Sequence, residues 1–188
     1  KGTLFNANEQ LSSSIVHQVY QDRHGLIWVS TENGLNRYDG YHFQVYTTKD
    51  GLCNDNVNCV AQDGNNNLYI GTTGGLSVMA NNRIYSVCCD DPDDKNPFEA
   101  YITCFCMGPD GALYLGTSGR GIWKVTGQRT VKKMYDNIEG VAFAHKLAFD
   151  HKGVLWVVTA SNGVFAINGN RAKKYNINDC INYADITI

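Results

Sequence analysis

Proline is scarce, with 3 residues in 188, and long apolar runs are missing altogether. No stretch approaches the roughly 20 apolar residues of a membrane-spanning helix. No charged-then-apolar leader starts at Lys1, so any signal peptide is expected to have been removed or never present. An excess of positive charge is also lacking: formal net charge is -2 and the pI about 6.2. Phosphate backbones need a basic face, so direct nucleic-acid binding is not expected.

The 7 cysteines (53, 59, 88, 89, 104, 106 and 180) are odd in number and contain no Cys-x-x-Cys. Neither zinc nor a redox centre is expected from them. Cys59, Cys104 and Cys106 read as buried free thiols, whereas Cys53, Cys88, Cys89 and Cys180 fall in apparent loops where a disulfide is possible but unassigned. Catalytic signatures are absent too. There is no Gly-x-Ser-x-Gly elbow, and Gly71-Thr72-Thr73-Gly74-Gly75 lacks the helix and Lys-Ser/Thr of a phosphate cradle. His24 and His151 read as turn residues, His17 and His145 as inner-strand residues near an axis, and His42 as the start of an outer strand. No catalytic residue, metal or cofactor is expected. Paired carboxylates for glycan cleavage remain open, because their spacing is a three-dimensional quantity.

What is abundant is glycine, 19 residues, and its placement is periodic. Four times the chain spells an apolar stretch, a turn beginning with Asp, an aromatic, then a second Gly before an apolar residue. The turn acids are Asp22, Asp63, Asp110 and Asp150, and the aromatics are Trp28, Tyr69, Tyr114 and Trp156. The second glycines are Gly34, Gly75, Gly121 and Gly163. Successive aromatics are 41, 45 and 42 residues apart. A period of that size, filled with short β-type segments, predicts β-propeller blades. In the first unit, strands are expected over 15–21, 26–30, 35–38 and 42–46, with Asp39-Gly40 closing the last hairpin. The Asp residues are expected to build turns. The aromatics are expected to pack one sheet on the next, since a blade buries its faces only against its neighbours.

The fold class expected is therefore all-β: a β-propeller segment with four recognisable four-stranded antiparallel blades. The boundaries read as 12–51, 52–100, 101–140 and 141–180. Residues 1–11 read as the tail of an outer strand and loop, and 181–188 as the opening of a fifth blade. The chain then reads as part of a larger ring rather than a four-bladed ring with eccentric ends. One insertion breaks the rhythm. Residues 88–99 carry five acids and two of the three prolines, without calcium-loop spacing. It reads as a solvated surface loop, or alternatively as a partner or ligand contact.

Residues 12–40, including Gln-Asp-Arg-His-Gly-Leu-Ile-Trp-Val-Ser-Thr-Glu-Asn-Gly-Leu-Asn-Arg-Tyr-Asp-Gly, resemble the two-component regulator propeller repeat. The resemblance extends through the second unit and the third (Tyr114-Leu115-Gly116-Thr117). It weakens in the fourth, where Val158 replaces the usual Gly; in the first, Ser30 stands at that place. It implies seven-bladed propellers, commonly paired, in the periplasmic sensor of hybrid two-component histidine kinases of Bacteroidetes-type bacteria. Such sensors respond to oligosaccharides, and the membrane helix, kinase, receiver and DNA-binding parts would lie elsewhere in the parent chain.

Propeller topology places the turns between second and third strands on one rim with the connections between blades. Thr31, Glu32, Asn33, Thr72, Thr73, Ser118, Arg120, Ser161 and Asn162 are accordingly the candidate ligand-binding residues, with Tyr46 or Tyr101 as an aromatic platform. An oligosaccharide is the expected partner, together with self-association through a sensor dimer or exposed blade faces. A non-catalytic protein-interaction propeller and a polysaccharide-acting propeller enzyme are the alternatives.

Overall fold

The structure is a computed structural model that describes residues 11–91, 93 and 96–176. The tail expected at 1–11 (Leu11 excepted), the fifth-blade opening at 181–188 and Cys180 lie outside the described residues. Strands follow the periodicity of the turns. The first sheet is β1 (Val16–Gln21), β2 (Ile27–Thr31), β3 (Gly34–Tyr38) and β4 (Phe43–Tyr46). The second is β5 (Val57–Gln62), β6 (Leu68–Thr72), β7 (Leu76–Ala80) and β8 (Arg83–Ser86). After the two-residue strand β9 (Cys88–Cys89) comes the third: β10 (Ile102–Met107), β11 (Leu113–Thr117), β12 (Ile122–Gly127) and β13 (Thr130–Met134). The fourth is β14 (Ala144–Phe149), β15 (Leu155–Thr159), β16 (Val164–Asn168) and β17 (Arg171–Tyr175). Within each sheet consecutive strands pair antiparallel, and the inner strands β1, β5, β10 and β14 lie side by side. The fold is all-β, a run of four β-propeller blades.

In every blade the turn acid accepts from amides of its own turn, and in blades one, three and four it also accepts from the aromatic. Asp22 Oδ1 accepts from the main-chain amides of His24 at 2.9 Å and Leu26 at 3.0 Å, and Oδ2 accepts from Trp28 Nε1 at 2.8 Å. Asp150 repeats this with Lys152, Val154 and Trp156 Nε1, the last at 3.1 Å. Asp110 receives the Tyr114 hydroxyl at 3.1 Å, and Asp63 receives Asn67 Nδ2 at 2.9 Å. One side chain thus satisfies the turn's amides and orients the aromatic two strands can share.

Those aromatics face the next blade. Trp28 lies in a core with Leu52, Val60 and Ile70 between blades one and two. Tyr69 sits with Leu113, Leu115 and Trp123 between two and three, and its hydroxyl reaches the Gln128 carbonyl at 3.0 Å. Tyr114 packs with Leu147, Leu155 and Val157 between three and four. Fully burying each such ring stabilises by roughly 1.5–3 kcal/mol. Trp156, on the far side of blade four, is only half-buried and stacks on Tyr175 at 5.6 Å.

A bulge recurs near the start of each inner strand, at Val16/Gln18, Val57/Cys59, Ile102/Cys104 and Ala144/Lys146. There Asn58 Nδ2 donates to the Ile102 carbonyl at 2.8 Å, and Thr103 Oγ1 to that of Ala144 at 2.5 Å. Across from the bulge, Gly71 and Gly116 leave no room for a side chain: a Cβ on Gly71 would meet Ile102 Cγ2 at 2.6 Å, and one on Gly116 would meet Cys104 Sγ at 2.9 Å. The blades approach closest here.

Three features differ from the sequence reading. Cys88 and Cys89 are not in a loop but form β9, which pairs parallel with β13 and gives blade three a fifth strand. Cys106 is half-buried rather than buried, while Cys59 and Cys104 are buried. The insertion is not wholly solvated, because Phe98 is buried in the core between blades two and three, 4.5 Å from Trp123. Cys53, Cys59, Cys104 and Cys106 are free thiols; burial pushes the Cys59, Cys104 and Cys106 thiols up, away from the reactive thiolate.

Candidate functional site

The turns between second and third strands are closed by a threonine. Thr31, Thr72, Thr117 and Thr159 each donate their hydroxyl to a Gly carbonyl across the turn, at 2.8, 2.8, 2.7 and 2.7 Å. The amide after the threonine, or one residue on, then reaches the residue preceding the inner strand. Glu32 N donates to Ile15 O, Thr73 N to Asn56 O, Ser118 N to Tyr101 O and Ala160 N to Phe143 O. Turns and inter-blade connections are thereby joined on one rim, and Ile15, Asn56, Tyr101 and Phe143 hold one equivalent place in successive blades.

Exposure makes this row notable. Ile15 is 53%, Tyr101 46% and Phe143 53% exposed, whereas their equivalent Asn56 is half-buried. Aromatic and aliphatic faces in the open stand directly beside polar turns, a composition suited to the mixed apolar and hydroxylated faces of sugars.

The candidate residues separate accordingly. Thr31 and Thr72 are fully buried and spend their hydroxyls inside the turn. Glu32 is half-buried and accepts from Ser13 Oγ at 3.3 Å, and Asn33 beside it is exposed. Thr73 is half-buried, with its hydroxyl 3.1 Å from Asn54 Oδ1. Ser118 and Arg120 are exposed on the third turn, Ser161 and half-buried Asn162 on the fourth. The last two turns are drawn together by the connection between them: Gly119 N and Gly121 N both donate to Ala142 O at 2.9 Å, and Asn162 Nδ2 donates to Gly140 O at 3.2 Å. Ser118, Arg120, Phe143, Ser161 and Asn162 therefore form one neighbourhood, while Glu32 and Asn33 belong to the other end of the arc.

Two charged side chains are held in place there. The Arg120 guanidinium donates to the Glu99 main-chain carbonyl and lies 5.5 Å from the centre of the Phe98 ring and 5.9 Å from that of Trp123. Lys174 Nζ donates to Asn162 Oδ1 at 2.5 Å and lies 5.9 Å from the Phe165 ring centre.

Of the two expected aromatic platforms, Tyr101 is available and Tyr46 is not. Tyr46 is buried against Trp28, with ring centroids 6.0 Å apart. It ends the outer strand on the face that blade two covers, so its ring belongs to the inter-blade core. Phe143 was missed as a platform. Its signal lay in the repeat, since it stands one residue before the inner strand as Tyr101 does.

The opposite rim is electrostatically distinct. Burial there works against ionisation of Asp110, but Lys124 Nζ at 2.6 Å, the Ala112 amide and the Tyr114 hydroxyl together hold the carboxyl below its usual range. The Asp150 carboxyl is lowered first by the Trp156 indole and then by the Val154 amide. Burial pushes the Tyr69 phenol well up. A cleft of about 380 Å³ between blades two and three opens on that rim, lined by Asn65, Asn67, Tyr69 and Gln128 among others. Asn67 and Gln128 close on each other across it at 3.1 Å.

Comparison with known proteins bears on the repeat directly. A family model described as two component regulator propeller matches residues 10–33 and 51–74. Over 42 residues, 22% of this chain and 3% of the relative, the sequence is 43% identical to histidine kinase P4 of Formosa agariphila. The extracellular domain of one hybrid two-component system of B. thetaiotaomicron superposes with a TM-score of 0.79 at 19% identity, covering 93% of this chain and 26% of that one. A second from the same organism gives 0.70 at 20% identity, with 85% and 25% covered. Virginiamycin B lyase from Staphylococcus aureus gives 0.66 at 13% identity, with 86% and 55% covered. The structural likenesses are likenesses of fold, and the chain spans about a quarter of the sensor ectodomains it superposes on. The stretches that match the two component regulator propeller model thus fall in the first two of four consecutive β-propeller blades.

Proposed function

We propose that this chain is the ligand-recognising part of an extracytoplasmic sensor propeller in a hybrid two-component system, and that an oligosaccharide lies along the rim row of Ile15, Asn56, Tyr101 and Phe143. The observation that carries the reading is that row: three exposed apolar side chains at equivalent places, each hydrogen-bonded through its main chain to a polar turn. The repeats and the fold shared with sensor ectodomains support the setting. In this reading the segment binds and does not catalyse, and the parent protein is a periplasm-facing histidine kinase controlling transcription by phosphorelay. The ligand biases how two sensor copies associate, which requires different affinity for the two arrangements.

The test is calorimetric titration of the complete ectodomain with a panel of neutral and acidic oligosaccharides. Binding is expected, and Tyr101→Ala and Phe143→Ala should each weaken it roughly three- to tenfold, as loss of a ring-face contact does. Failure of every oligosaccharide to bind would leave a protein-interaction propeller instead.

A further inference from the structure

We infer, resting on the rim reading above, that the oligosaccharide is acidic and that its anionic groups are held along blades three and four, one by Arg120 and another by Lys174. Charge is unevenly distributed along the arc. Residues 141–176 contain Lys146, Lys152, Arg171, Lys173 and Lys174 against one acid, Asp150. Residues 52–100 are the reverse, with seven acids against Arg83 and Lys95. Exposed charges interact over only ~8 Å at physiological ionic strength, so what matters is which cations reach the rim.

Arg120 does so from the blade-three turn, and Lys174 does so from β17 through Asn162 of the blade-four turn; the connection carrying the exposed Phe143 ring runs between those two turns. Neither is paired with a carboxylate among the described residues. Arg120 gives one of its five N–H donors to a main-chain carbonyl, and Lys174 donates to the Asn162 amide oxygen. The ion pairs among the described residues are Lys124–Asp110 and Lys133–Asp136, and neither includes them. The contrast with Lys133 is informative, because it occupies the same place in blade three that Lys174 holds in blade four. Lys133 lies opposite Trp123 and Lys174 opposite Phe165 in their ladders. Asp136 takes up the first at 2.8 Å, and among the described residues no carboxylate takes up the second.

An Arg fork with free donors, a second cation and an exposed apolar ring on the connection between their turns suit carboxylates or sulfates carried on successive sugar rings. The two cations set the direction, with the charged stretch of the ligand toward Arg120 and Asn162.

The complete ectodomain is titrated with two matched pairs: a tetragalacturonate and its methyl ester, and a sulfated galactan tetrasaccharide and its desulfated form. The charged member of at least one pair should bind about tenfold tighter than its neutral partner. That advantage should shrink as NaCl is raised from about 50 to about 500 mM. Arg120→Gln and Lys174→Gln should each remove several-fold of that advantage. Lys174 is exposed, so its variant keeps the test sound if loss of Arg120 from the Phe98 and Trp123 rings disturbs folding. The pair that shows the preference tells uronate from sulfate. Equal binding within both pairs, or a charge preference that survives both substitutions, overturns the inference and leaves the rim reading standing. No binding by any oligosaccharide, charged or neutral, overturns both.

Discussion

Substituting Gly71 with alanine measures how tightly neighbouring blades are pressed together beside the axis. The added Cβ would lie 2.6 Å from Ile102 Cγ2, 2.9 Å from Ile102 Cβ and 2.9 Å from Cys59 Sγ. Carbon atoms rest at about 3.5–4.0 Å, so neighbours must retreat by about 1 Å. Ile102 cannot do so freely, being fully buried and held through its carbonyl by Asn58 at 2.8 Å. Overpacking of this kind costs about 1–3 kcal/mol. Loss of glycine's freedom in the unfolded chain offsets about 0.4–1 kcal/mol. The net loss is about 1–2 kcal/mol, or roughly 2–8 °C in Tm for a chain of this size. Urea denaturation should show a lower midpoint with an unchanged slope. The equivalent positions supply controls of different sign. Ser30 stands there in blade one with a buried hydroxyl that has no partner among the described residues, so Ser30→Ala should raise stability by about 1 kcal/mol. Val158 stands there in blade four, 40% exposed, and Val158→Ala should change stability by less than about 0.5 kcal/mol. A Gly71→Ala protein as stable as its parent, or a larger loss from Val158→Ala, would refute the reasoning.

Two further outcomes are expected. The Asp110 and Asp150 carboxyls both titrate below their unfolded values, so the stability they contribute is complete above the unfolded carboxylate pKa of about 3.9 and is lost as pH falls through the folded values. Asp150→Asn should therefore flatten the acid limb of a plot of urea midpoint against pH, and an unaltered limb would contradict the assignment. Phe98→Ala removes a buried ring from the core between blades two and three and should cost about 3–5 kcal/mol. Limited proteolysis should then cut within 88–99, and an uncut insertion of parental stability would show that the ring is not its anchor.

Turn chemistry explains how much of the architecture is legible without coordinates. Asp22 and Asp150 act on amides two and four residues away, Asp110 on the amide two away, and all three on an aromatic within six, so the signal is local and repeats with the blade. The inward role of Thr31 and Thr72 is equally local, yet a rim threonine and a buried one look alike until the turn is closed. Tyr46 and Phe143 show the non-local limit. Both end or precede strands near the same rim, but one faces the next blade's core and the other faces out, which depends on how sheets stack. β9 was invisible for a related reason, since its partner lies some 40 residues onward in another blade. Arg120 was legible as a rim residue, but its bracing by Phe98 and Trp123 was not.

β9 belongs by sequence to the end of blade two and by hydrogen bonding to blade three, where Cys88 N reaches Arg129 O at 2.9 Å and Asp90 N reaches Val131 O at 2.7 Å. It acts as a stitch across that seam, reinforced by Arg129 4.6 Å from the centre of the Tyr85 ring. A fan-like opening between these two blades has to unzip the stitch, whereas no such outer strand crosses between blades one and two or three and four among the described residues. Separating the central pair of blades therefore breaks main-chain hydrogen bonds as well as core packing, a cost the two outer seams do not carry in this form.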